Sequence, residues 1–299
     1  MTEPSAEDDA ASDAPWVSLE FFPPKTEKME QTLWSSIKRL IPLKPKFVSV
    51  TYGAGGTTRE RTHNTVQRIL GETPLATAAH LTCVGANRAE VDQVAKAYWD
   101  SGIRHVVALR GDPPDGEARY QPHEGGYAYA ADLVAGLKRI ADFEISVAAY
   151  PEVHPEAASA EADLDVLKAK VDAGATRAIA QFFFDNDKYL RFVDRATAAG
   201  INVPIVPGIL PVTNFTRVVQ FADKCGVTIP PAMAEAFAGL EDDPETRRQV
   251  ASDLGAAQCQ ELLDRGIKFF HFYTLNRADL TFAICHSLGL AADRRRAPR

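Results

Sequence analysis

The feature that most constrains the fold of this chain is a pattern that occurs eight times. In each case an apolar run ends in a turn with polar residues. Residues 106–109 show it well, because Val-Val-Ala-Leu is followed by Arg110, Gly111 and Asp112 and then by two prolines. The other seven runs span residues 17–22, 47–52, 76–82, 145–150, 177–184, 203–210 and 268–274. Each run predicts a strand that is buried on both faces and is ended by glycine, proline or polar residues.

Segments with helical periodicity separate the eight runs. Residues 27–40, for example, place Met29, Leu33, Ile37 and Leu40 on one face. The other such segments span residues 58–70, 88–99, 127–141, 160–173, 186–199, 214–222, 247–263 and 277–288. Regular alternation of strand and helix predicts an α/β chain folded as a single-domain (β/α)8 TIM barrel. A doubly wound open sheet is the alternative, but the first run is followed by two prolines instead of a glycine-rich dinucleotide fingerprint.

We expect the barrel to span residues 15–290. Residues 1–14 are acidic and rich in alanine and serine, which predicts a disordered leader. The arginine-rich residues 291–299 predict a flexible basic tail.

The charge balance and the cysteine usage argue against several classes of function. Lysine and arginine number 33 against 40 aspartates and glutamates, and the net charge of -7 disfavours nucleic acid as a partner. No apolar run approaches the roughly 20 residues that are needed to cross a bilayer. The four cysteines are far apart and form no C-x-x-C pair, which predicts reduced, mostly buried thiols. We therefore expect a cytoplasmic protein.

In a barrel of parallel strands, the polar residues at the strand ends meet at one mouth, where ligands bind. Glu20 is notable because a carboxylate between Leu19 and Phe21 is costly to bury without a partner or a task. We expect burial to raise the pKa of Glu20 and to suit it to general acid chemistry near neutral pH. His80, by contrast, lies in an apolar run, where a histidine is more often a core residue than a catalyst. The expected mouth residues are Glu20, Thr51, Tyr52, His80, Arg110, Asp112, Tyr150, His154, Gln181 and Arg277.

Neither a metal centre nor a serine or cysteine nucleophile is indicated. Glu152, His154 and Glu156 alternate after the fifth run, but prolines interrupt the strand geometry and no second cluster completes a cage. No serine or cysteine is bracketed by a histidine and an oxyanion-type glycine turn. The mouth instead combines planar polar groups, aromatic residues, one acid and the glycine-rich turn 53–56. That inventory suits a large, flat, partly anionic ligand such as a flavin, although the residue types alone do not name it.

Eight motifs resemble those of the bacterial 5,10-methylenetetrahydrofolate reductases. They are EFFPP (20–24), VSVTYGA (48–54), HLTC (80–83), ALRGD (108–112), AYPEVHPE (149–156), QFFFD (181–185), PGILP (207–211) and FYTLNR (272–277). The motifs follow one another in order, so the resemblance covers nearly the whole chain, and several are long enough to be specific on their own.

The resemblance implies a (β/α)8 barrel that holds non-covalent FAD at its carboxyl face. A reduced nicotinamide, NADH or NADPH, gives a hydride to the flavin and leaves. Methylenetetrahydrofolate then takes its place and is reduced to 5-methyltetrahydrofolate, in the one-carbon route to methionine. One shared site for two substrates predicts ping-pong kinetics. The resemblance also implies a homo-oligomer, either a dimer or a tetramer.

The resemblance further assigns roles to residues of this chain. Glu20 matches the family's proton donor, and Asp112 matches a residue that lies by the flavin and also holds the pterin. The implied substrate-binding positions are Glu20, Thr51, Asp112, Gln181, Phe221 and Arg277. The implied flavin-binding positions are Thr51, Tyr52, Ala54, His80, Arg110, Gly111, Asp112, Tyr129, Ala130, Tyr150, His154, Asp163 and Lys170. Of these, Arg110 and Lys170 could pair with the pyrophosphate or the flavin edge.

The chain departs from the enterobacterial pattern at the turn 55–58 and at residues 115–126. The second segment is longer and lies beside Asp112, which predicts a lid with altered nicotinamide preference. Arg217 stands where a folate-contacting glutamine is expected.

Residues 223–246 form a long unit whose apolar residues near Phe237 predict a short helix. That helix would lie over the mouth or at a subunit contact, with simple packing as an equal alternative. The chain ends after the barrel, so we expect no regulation by S-adenosylmethionine.

Two other functions remain open on the sequence. A flavin barrel that acts on another amine, as in proline dehydrogenases, is disfavoured by the pair Glu20 and Gln181. A folate-binding methyl- or formyl-transferase without flavin is the alternative from another class, and it predicts a colourless protein. A non-catalytic scaffold would leave polar groups at so many strand ends unexplained.

Overall fold

The sequence folds into a closed barrel of eight parallel strands. The computed structural model describes residues 15–52, 59–113 and 120–290. The strands are β1 (Trp16–Phe21), β2 (Val48–Val50), β3 (Thr77–Thr82), β4 (His105–Leu109), β5 (Glu144–Ala149), β6 (Arg177–Phe182), β7 (Ile205–Ile209) and β8 (Phe269–Tyr273). They pair in chain order, and β8 pairs with β1 to close the barrel. The predicted (β/α)8 fold is confirmed.

Helices follow the strands around the barrel. They are α1 (Glu27–Leu40), α2 (Arg59–Glu72), α3 (Arg88–Asp100), α4 (Ala130–Ile140), α5 (Ala160–Asp172), α6 (Asn186–Ala198), α7 (Phe215–Cys225), α8 (Pro231–Phe237), α9 (Pro244–Asp264) and α10 (Ala278–Ser287). Side chains of Thr26, Asn87 and Ser159 accept hydrogen bonds from backbone N–H groups in the first turns of α1, α3 and α5. These caps define where the helices begin, because the first-turn donors have no partner within the helix.

The strands are buried on both faces, as their composition predicts. In β4, Val106 and Ala108 belong to the main core between strands and helices. Val107 points the other way and joins a cluster with Phe47, Ala78 and Ile179. Since successive side chains of a strand face opposite sides, this second cluster fills the inside of the barrel.

The short helix predicted within residues 223–246 is α8. Its Met233 and Phe237 are buried, and they pack with Val218 of α7 and with Leu210 in a third cluster. The expectation that exposed apolar residues near Phe237 offer a subunit contact is therefore wrong, because packing within the chain covers them.

Some predicted features lie outside the described residues. These are the leader 1–14, the tail 291–299, the turn 53–58 with Ala54, and residues 114–119 of the long loop. Within the described ranges, no helix is long and apolar enough to cross a membrane.

Candidate active site

The polar residues at the strand ends are brought to one mouth of the barrel, as predicted. All strands are parallel, so Glu20 of β1, His80 of β3 and Gln181 of β6 share the carboxyl-terminal end. The segments that follow other strands at this end carry Thr51 and Tyr52, Arg110, Gly111 and Asp112, Tyr150 and His154, and Arg277. Helices α4 and α5 each follow a strand and start at the same end, where they place Tyr129, Ala130 and Asp163.

Glu20 is the centre of a polar cluster in the mouth. Its Oε2 lies 3.2 Å from His80 Nε2 and 3.5 Å from His271 Nε2. Its side chain is 17% exposed, whereas both histidines are buried. His271 Nδ1 lies 2.8 Å from the Oγ of Ser18, which is opposite His271 in the pairing of β1 with β8. A carboxylate, two imidazoles and a hydroxyl thus form a chain that can hold and move a proton.

The expected rise in the pKa of Glu20 is wrong for this state of the chain. Burial does act in that direction, but the charges and hydrogen bonds of His80 and His271 outweigh it and lower the pKa of Glu20 to about 2. Glu20 is therefore an ionised carboxylate near neutral pH. To act as an acid it needs a bound ligand or a proton from a neighbouring group.

A tight turn after β8 fixes the approach to Arg277. Asn276 and the residue before it have φ values of 54° and 51°, which bend the chain sharply ahead of α10. The side chain of Asn276 is buried; it accepts from the N–H of Phe22 at 3.0 Å and donates to the C=O of Phe22 at 2.9 Å. The hydroxyl of Thr274 donates to the carbonyl oxygen of Glu20 at 2.6 Å. The turn that presents Arg277 is thus locked to the strand that carries Glu20.

Tyr273 lies across the mouth from β8 to β6. Its hydroxyl donates to the carbonyl oxygen of Ala180 at 2.9 Å, and burial and then the charge of Glu20 raise the pKa of Tyr273. Gly208 of β7 makes this arrangement possible, because a Cβ there would lie 2.6 Å from the Tyr273 ring and 2.1 Å from the Ala180 oxygen. A larger residue at position 208 would displace the ring from its place beside Glu20.

Arg110 is fixed at the end of β4 and still partly exposed. Its guanidinium pairs with the carboxylate of Glu156, donates from Nε to the C=O of Gly111 at 3.0 Å, and lies 4.5 Å from the ring centre of Tyr120. Gly111 has a φ of 89°, and a Cβ there would come within 2.4 Å of Val84, so the turn requires glycine. A fixed guanidinium that is 20% exposed suits the binding of an anionic ligand group.

The loop after β5 places Tyr150 and His154 edge to face, with ring centres 4.6 Å apart. The backbone N–H of His154 donates to Asp163 at 3.0 Å, and its Nδ1 accepts from the backbone N–H of Glu156 at 3.0 Å. Burial and then the positive charge of Arg110 lower the pKa of His154. The neutral ring therefore carries its proton on Nε2, which is a hydrogen-bond donor.

The carboxylates around His154 are engaged by cations of the chain itself. Glu152 pairs with Lys188, and Glu156 pairs with Arg110. In the described part of the chain, no group of three or more potential ligand side chains could hold a metal ion.

Lys170 is a buried cation behind β5. Lys170 is 6% exposed, and its Nζ donates to the carbonyl oxygen of Ala148 at 2.5 Å. Burial lowers the pKa of Lys170 to about 8, against the opposing charge of Asp163. An ammonium group has three donors, so Lys170 can serve a ligand while it keeps its bond to Ala148.

The remaining predicted contacts form the rim of the mouth. Phe221 of α7 is 45% exposed and stacks on Phe182, with ring centres 5.1 Å apart. The side-chain oxygen of Gln181 accepts from the N–H of Phe182 at 3.0 Å. Asp112 and Arg217 are exposed. The rim therefore offers an aromatic face flanked by polar and charged groups.

The residues of the site that were not found from the sequence include His271, Ser18 and Tyr120. Strand alternation along β8 places His271 on the same face as Tyr273, and this pattern could have indicated it. Ser18 shares the face of Glu20 by the same rule. No local pattern indicates that the ring of Tyr120 covers Arg110, because Tyr120 lies in an irregular loop.

Comparison with known proteins agrees with the motifs. The family model described as methylenetetrahydrofolate reductase matches residues 5–289. The 5,10-methylenetetrahydrofolate reductase of Escherichia coli is 57% identical over 274 residues, which cover 92% of this chain and 90% of the relative. The protein of that name from Buchnera aphidicola subsp. Acyrthosiphon pisum is 50% identical over 273 residues, 91% of each chain. Methylenetetrahydrofolate reductase (NADH) 1 of Zea mays is 38% identical over 284 residues, 91% of this chain but 48% of the plant protein.

The fold is also that of a solved structure at low identity, an uncharacterised protein from Clostridium thermocellum that binds two copies of 5-methyl-5,6,7,8-tetrahydrofolic acid. Its TM-score is 0.61 at 14% identity, and the match covers 95% of this chain and 96% of that chain. At this identity the likeness supports the barrel fold alone.

Proposed function

Because the chain belongs to the methylenetetrahydrofolate reductase family, we propose that it reduces 5,10-methylenetetrahydrofolate to 5-methyltetrahydrofolate, with NADH or NADPH as hydride donor and non-covalent FAD as cofactor. The observation that carries the proposal is Glu20, which lies within 3.5 Å of two imidazoles in the mouth. Reduction of a methylene bridge to a methyl group adds one hydride and one proton. A buried carboxylate with two proton-carrying neighbours suits the delivery of that proton.

The residues of the mouth fit a flavin dinucleotide. Arg110 and Lys170 supply positive charge for a diphosphate, and the Nε2–H of His154 supplies a further donor. The hydroxyl of Thr82, next to Gly111, is buried without a hydrogen-bond partner among the described residues, so it suits a bond to a ligand. When bound, FAD supplies the hydride transfer between nicotinamide and folate, while the protein supplies binding and orientation.

The other flavin contacts in this proposal follow the family match. They are Thr51, Tyr52, Ala54, His80, Gly111, Asp112, Tyr129, Ala130, Tyr150 and Asp163. Ala54 lies outside the described residues, and the others are at the mouth.

Glu20 is the proposed proton donor to the folate. A folate ring over the mouth would remove the remaining 17% exposure of Glu20, and desolvation raises the pKa of a carboxyl. The hydrogen-bonded pair of His271 and Ser18 offers a route by which a proton returns to Glu20 after each turnover.

The rim suits the rest of the folate. Phe221 and Phe182 present an aromatic face on which a flat ring can stack. Gln181, Thr51 and Asp112 are the proposed polar contacts to the pterin end, and Arg277 suits a carboxylate. Since both substrates use this mouth, the kinetics should be ping-pong.

The test is an absorbance spectrum of freshly purified protein under anaerobic conditions. Flavin bands near roughly 450 nm should be present, bleach on addition of NADH or NADPH, and return with methylenetetrahydrofolate. Bleaching of the oxidised flavin by proline, with no bleaching by NADH or NADPH, would favour an amine-oxidising flavin barrel. A colourless protein that takes up no added FAD would reject the reductase proposal in favour of a flavin-free transferase.

The proposal also includes a homo-oligomer that works in the cytoplasm. Cys83, Cys225, Cys259 and Cys285 are free thiols, which suits a reducing compartment. Light scattering on the purified protein would measure the number of subunits.

A further inference from the structure

A polar cluster of one buried and two more exposed side chains joins two parts of the mouth. It consists of Glu152, Lys188 and Thr228, and we call it the clasp. Glu152 lies just after β5, Lys188 is in the first turn of α6, and Thr228 follows α7, so the clasp ties three separate segments. The carboxylate of Glu152 accepts from the ammonium of Lys188, from the hydroxyl of Thr228 at 2.5 Å, and from its backbone N–H at 3.2 Å. Lys188 also donates to the hydroxyl of Thr228 at 2.6 Å.

The burial of Glu152 makes these contacts strong. Its side chain is 7% exposed, so the carboxylate has exchanged nearly all of its water for the donors of Lys188 and Thr228. A carboxylate in such a place is stable only while its partners stay in position. The clasp therefore resists separation of the segments that it joins.

The two main segments carry different parts of the candidate site. The loop after β5 carries Tyr150 and His154, which are on the proposed flavin side. Helix α7 carries Phe221, which is on the proposed folate side, and contributes Val218 and Ala222 to the smaller cluster around α8. The spacing between these segments therefore sets the width of the site.

Side chains of both segments line one small pocket. Tyr150 and Val153 lie on one side of it, and Cys225 and Val227 lie on the other. Glu152 and Gln181 also line this pocket. The hydrogen bonds of the clasp therefore join the two segments at the place where their side chains come together.

The backbone beside Glu152 is strained. Val153 has a φ of 74°, which is unfavourable for a β-branched residue and persists only where the surroundings hold it. Gly226, which ends α7, packs here, since a Cβ at Gly226 would lie 3.6 Å from the carbonyl oxygen of Val153. The clasp is thus placed where it can keep the strained turn and the end of α7 together.

We infer that Glu152 is a positioning residue, which acts through the clasp to hold α7 and Phe221 at the distance from the β5 loop that the folate requires. The inference rests on the proposed reductase function. It predicts that the contact with Thr228 serves folate binding alone. The contacts of Glu152 as a whole serve folate binding and flavin binding, because Glu152 also supports the loop that carries Tyr150 and His154.

The experiment compares three variants. Thr228→Val removes the two hydrogen bonds of the hydroxyl, one to Glu152 and one from Lys188, and leaves the pair of Glu152 with Lys188. Glu152→Gln weakens the whole clasp. Glu144→Gln is the matched control, because Glu144 lies at the other end of β5, away from the clasp, where it pairs with Arg177. All three are assayed for folate KM and FAD affinity, and for hydrogen–deuterium exchange of residues 215–225 in the FAD-free protein.

The KM for methylenetetrahydrofolate should rise roughly two- to tenfold in Thr228→Val, because the variant loses the hydrogen bonds of an exposed hydroxyl, whose net contribution is small. FAD affinity should be unchanged in that variant and should fall in Glu152→Gln. Hydrogen–deuterium exchange in α7 should be faster in Thr228→Val and in Glu152→Gln. It should be unchanged in Glu144→Gln, even if that variant loses thermal stability.

Unchanged KM and unchanged exchange of α7 in Thr228→Val would overturn the inference, even if Glu152→Gln fails to fold. The same holds if Glu144→Gln changes α7 as much as the clasp variants do. Absence of reductase activity in the unaltered protein would instead reject the proposed function, and the exchange data would still test the clasp.

Discussion

Two arginine–glutamate pairs lie at opposite ends of the barrel, and the same type of ion pair has a different role at each end. At the amino-terminal end, Arg177 of β6 is 1% exposed and pairs with Glu144 of β5. Its guanidinium also lies 5.9 Å from the ring centre of Trp16 and 5.1 Å from that of Phe47. This arginine is closed in on all sides by groups of the chain, so it fixes the barrel and offers little to a ligand.

The pair of Arg110 with Glu156 at the carboxyl-terminal end is more open. Both partners are more exposed than Arg177, and one ring, that of Tyr120, covers the guanidinium. The histidines at the two ends are equally buried and differ in the charge that each one faces. At the sealed end, burial and then the charge of Arg177 lower the pKa of His105 well below its usual range, whereas at the mouth His80 faces the carboxylate of Glu20. The difference teaches that exposure, and not residue type, separates the structural pair from the candidate binding pair.

The largest expected effect is at the mouth. Glu20→Gln should slow folate reduction by roughly 10²- to 10⁴-fold, since it removes a general acid, while reduction of the flavin by the nicotinamide stays near its normal rate. Rapid mixing under anaerobic conditions measures the two half-reactions separately. In the unaltered protein the folate rate should fall as pH rises, because Glu20 must be protonated, and this dependence should vanish in the variant. Equal losses in both half-reactions would make Glu20 a structural residue.

The next effect tests the sealed end. Arg177→Met should destabilise the fold by about 3–5 kcal/mol, because it leaves the buried side of Glu144 without its cation. Thermal unfolding of the FAD-free protein measures the loss. Folded Arg177→Met protein should keep the FAD affinity and the folate KM of the unaltered protein. A selective loss of FAD affinity at unchanged stability would mean that the amino-terminal end takes part in the site, and the comparison of the two ends would fail.

Lys170 provides a pH test. The pKa of Lys170 is lowered to about 8 in the folded chain, whereas the unfolded chain keeps a normal lysine near 10.5. Between these values the unfolded state binds more protons, so stability should rise with pH. Relative to Lys170→Met, the unaltered FAD-free protein should gain about 2 kcal/mol between pH 8 and pH 10. Lys168→Met, in the exposed pair with Asp172 on the same helix, is the control and should show no such difference.

The sequence was sufficient for the fold because its signals are local. Each strand is a short apolar run with a glycine, proline or polar stop, and the helix α1 follows from the spacing of its apolar residues. The same signals found Glu20 and Arg110, since both lie at strand ends. Periodicity could not show which surface Phe237 meets, because it identifies an apolar face but not what covers it.

The electrostatics of the site were beyond the sequence because they depend on barrel closure. The lowered pKa of Glu20 requires His80 from β3 and His271 from β8, which meet Glu20 only when the last strand pairs with the first. Burial alone would have given the opposite sign. The cover of Tyr120 over Arg110 likewise arises from a loop whose path no periodic pattern fixes.

Arg110→Met should have a moderate effect on binding and a small one on stability. Removal of a fixed cation from the proposed diphosphate site should weaken FAD binding by roughly tenfold or more, as for the loss of a charge-assisted hydrogen bond. The partly exposed pair with Glu156 should contribute little to folding. Fluorescence titration of the FAD-free protein measures the affinity. If Arg110→Met and Arg177→Met lost stability equally and neither lost FAD affinity, the two pairs would be equivalent.

The smallest effect concerns the ring that covers Arg110. Tyr120→Ala should weaken FAD binding by roughly two- to fivefold, the size expected when a partly exposed cation–π contact is lost. Tyr120→Phe keeps the ring and removes only the hydroxyl, which donates to the carbonyl oxygen of Ala128 at 2.8 Å, so most of the affinity should return. The same variants test the predicted lid, because a role of this loop in nicotinamide choice would change the ratio of NADH to NADPH rates in Tyr120→Ala. If Tyr120→Phe bound FAD as weakly as Tyr120→Ala, the hydroxyl and not the ring would hold the loop. The ring would then provide no effective cover for Arg110 on this side.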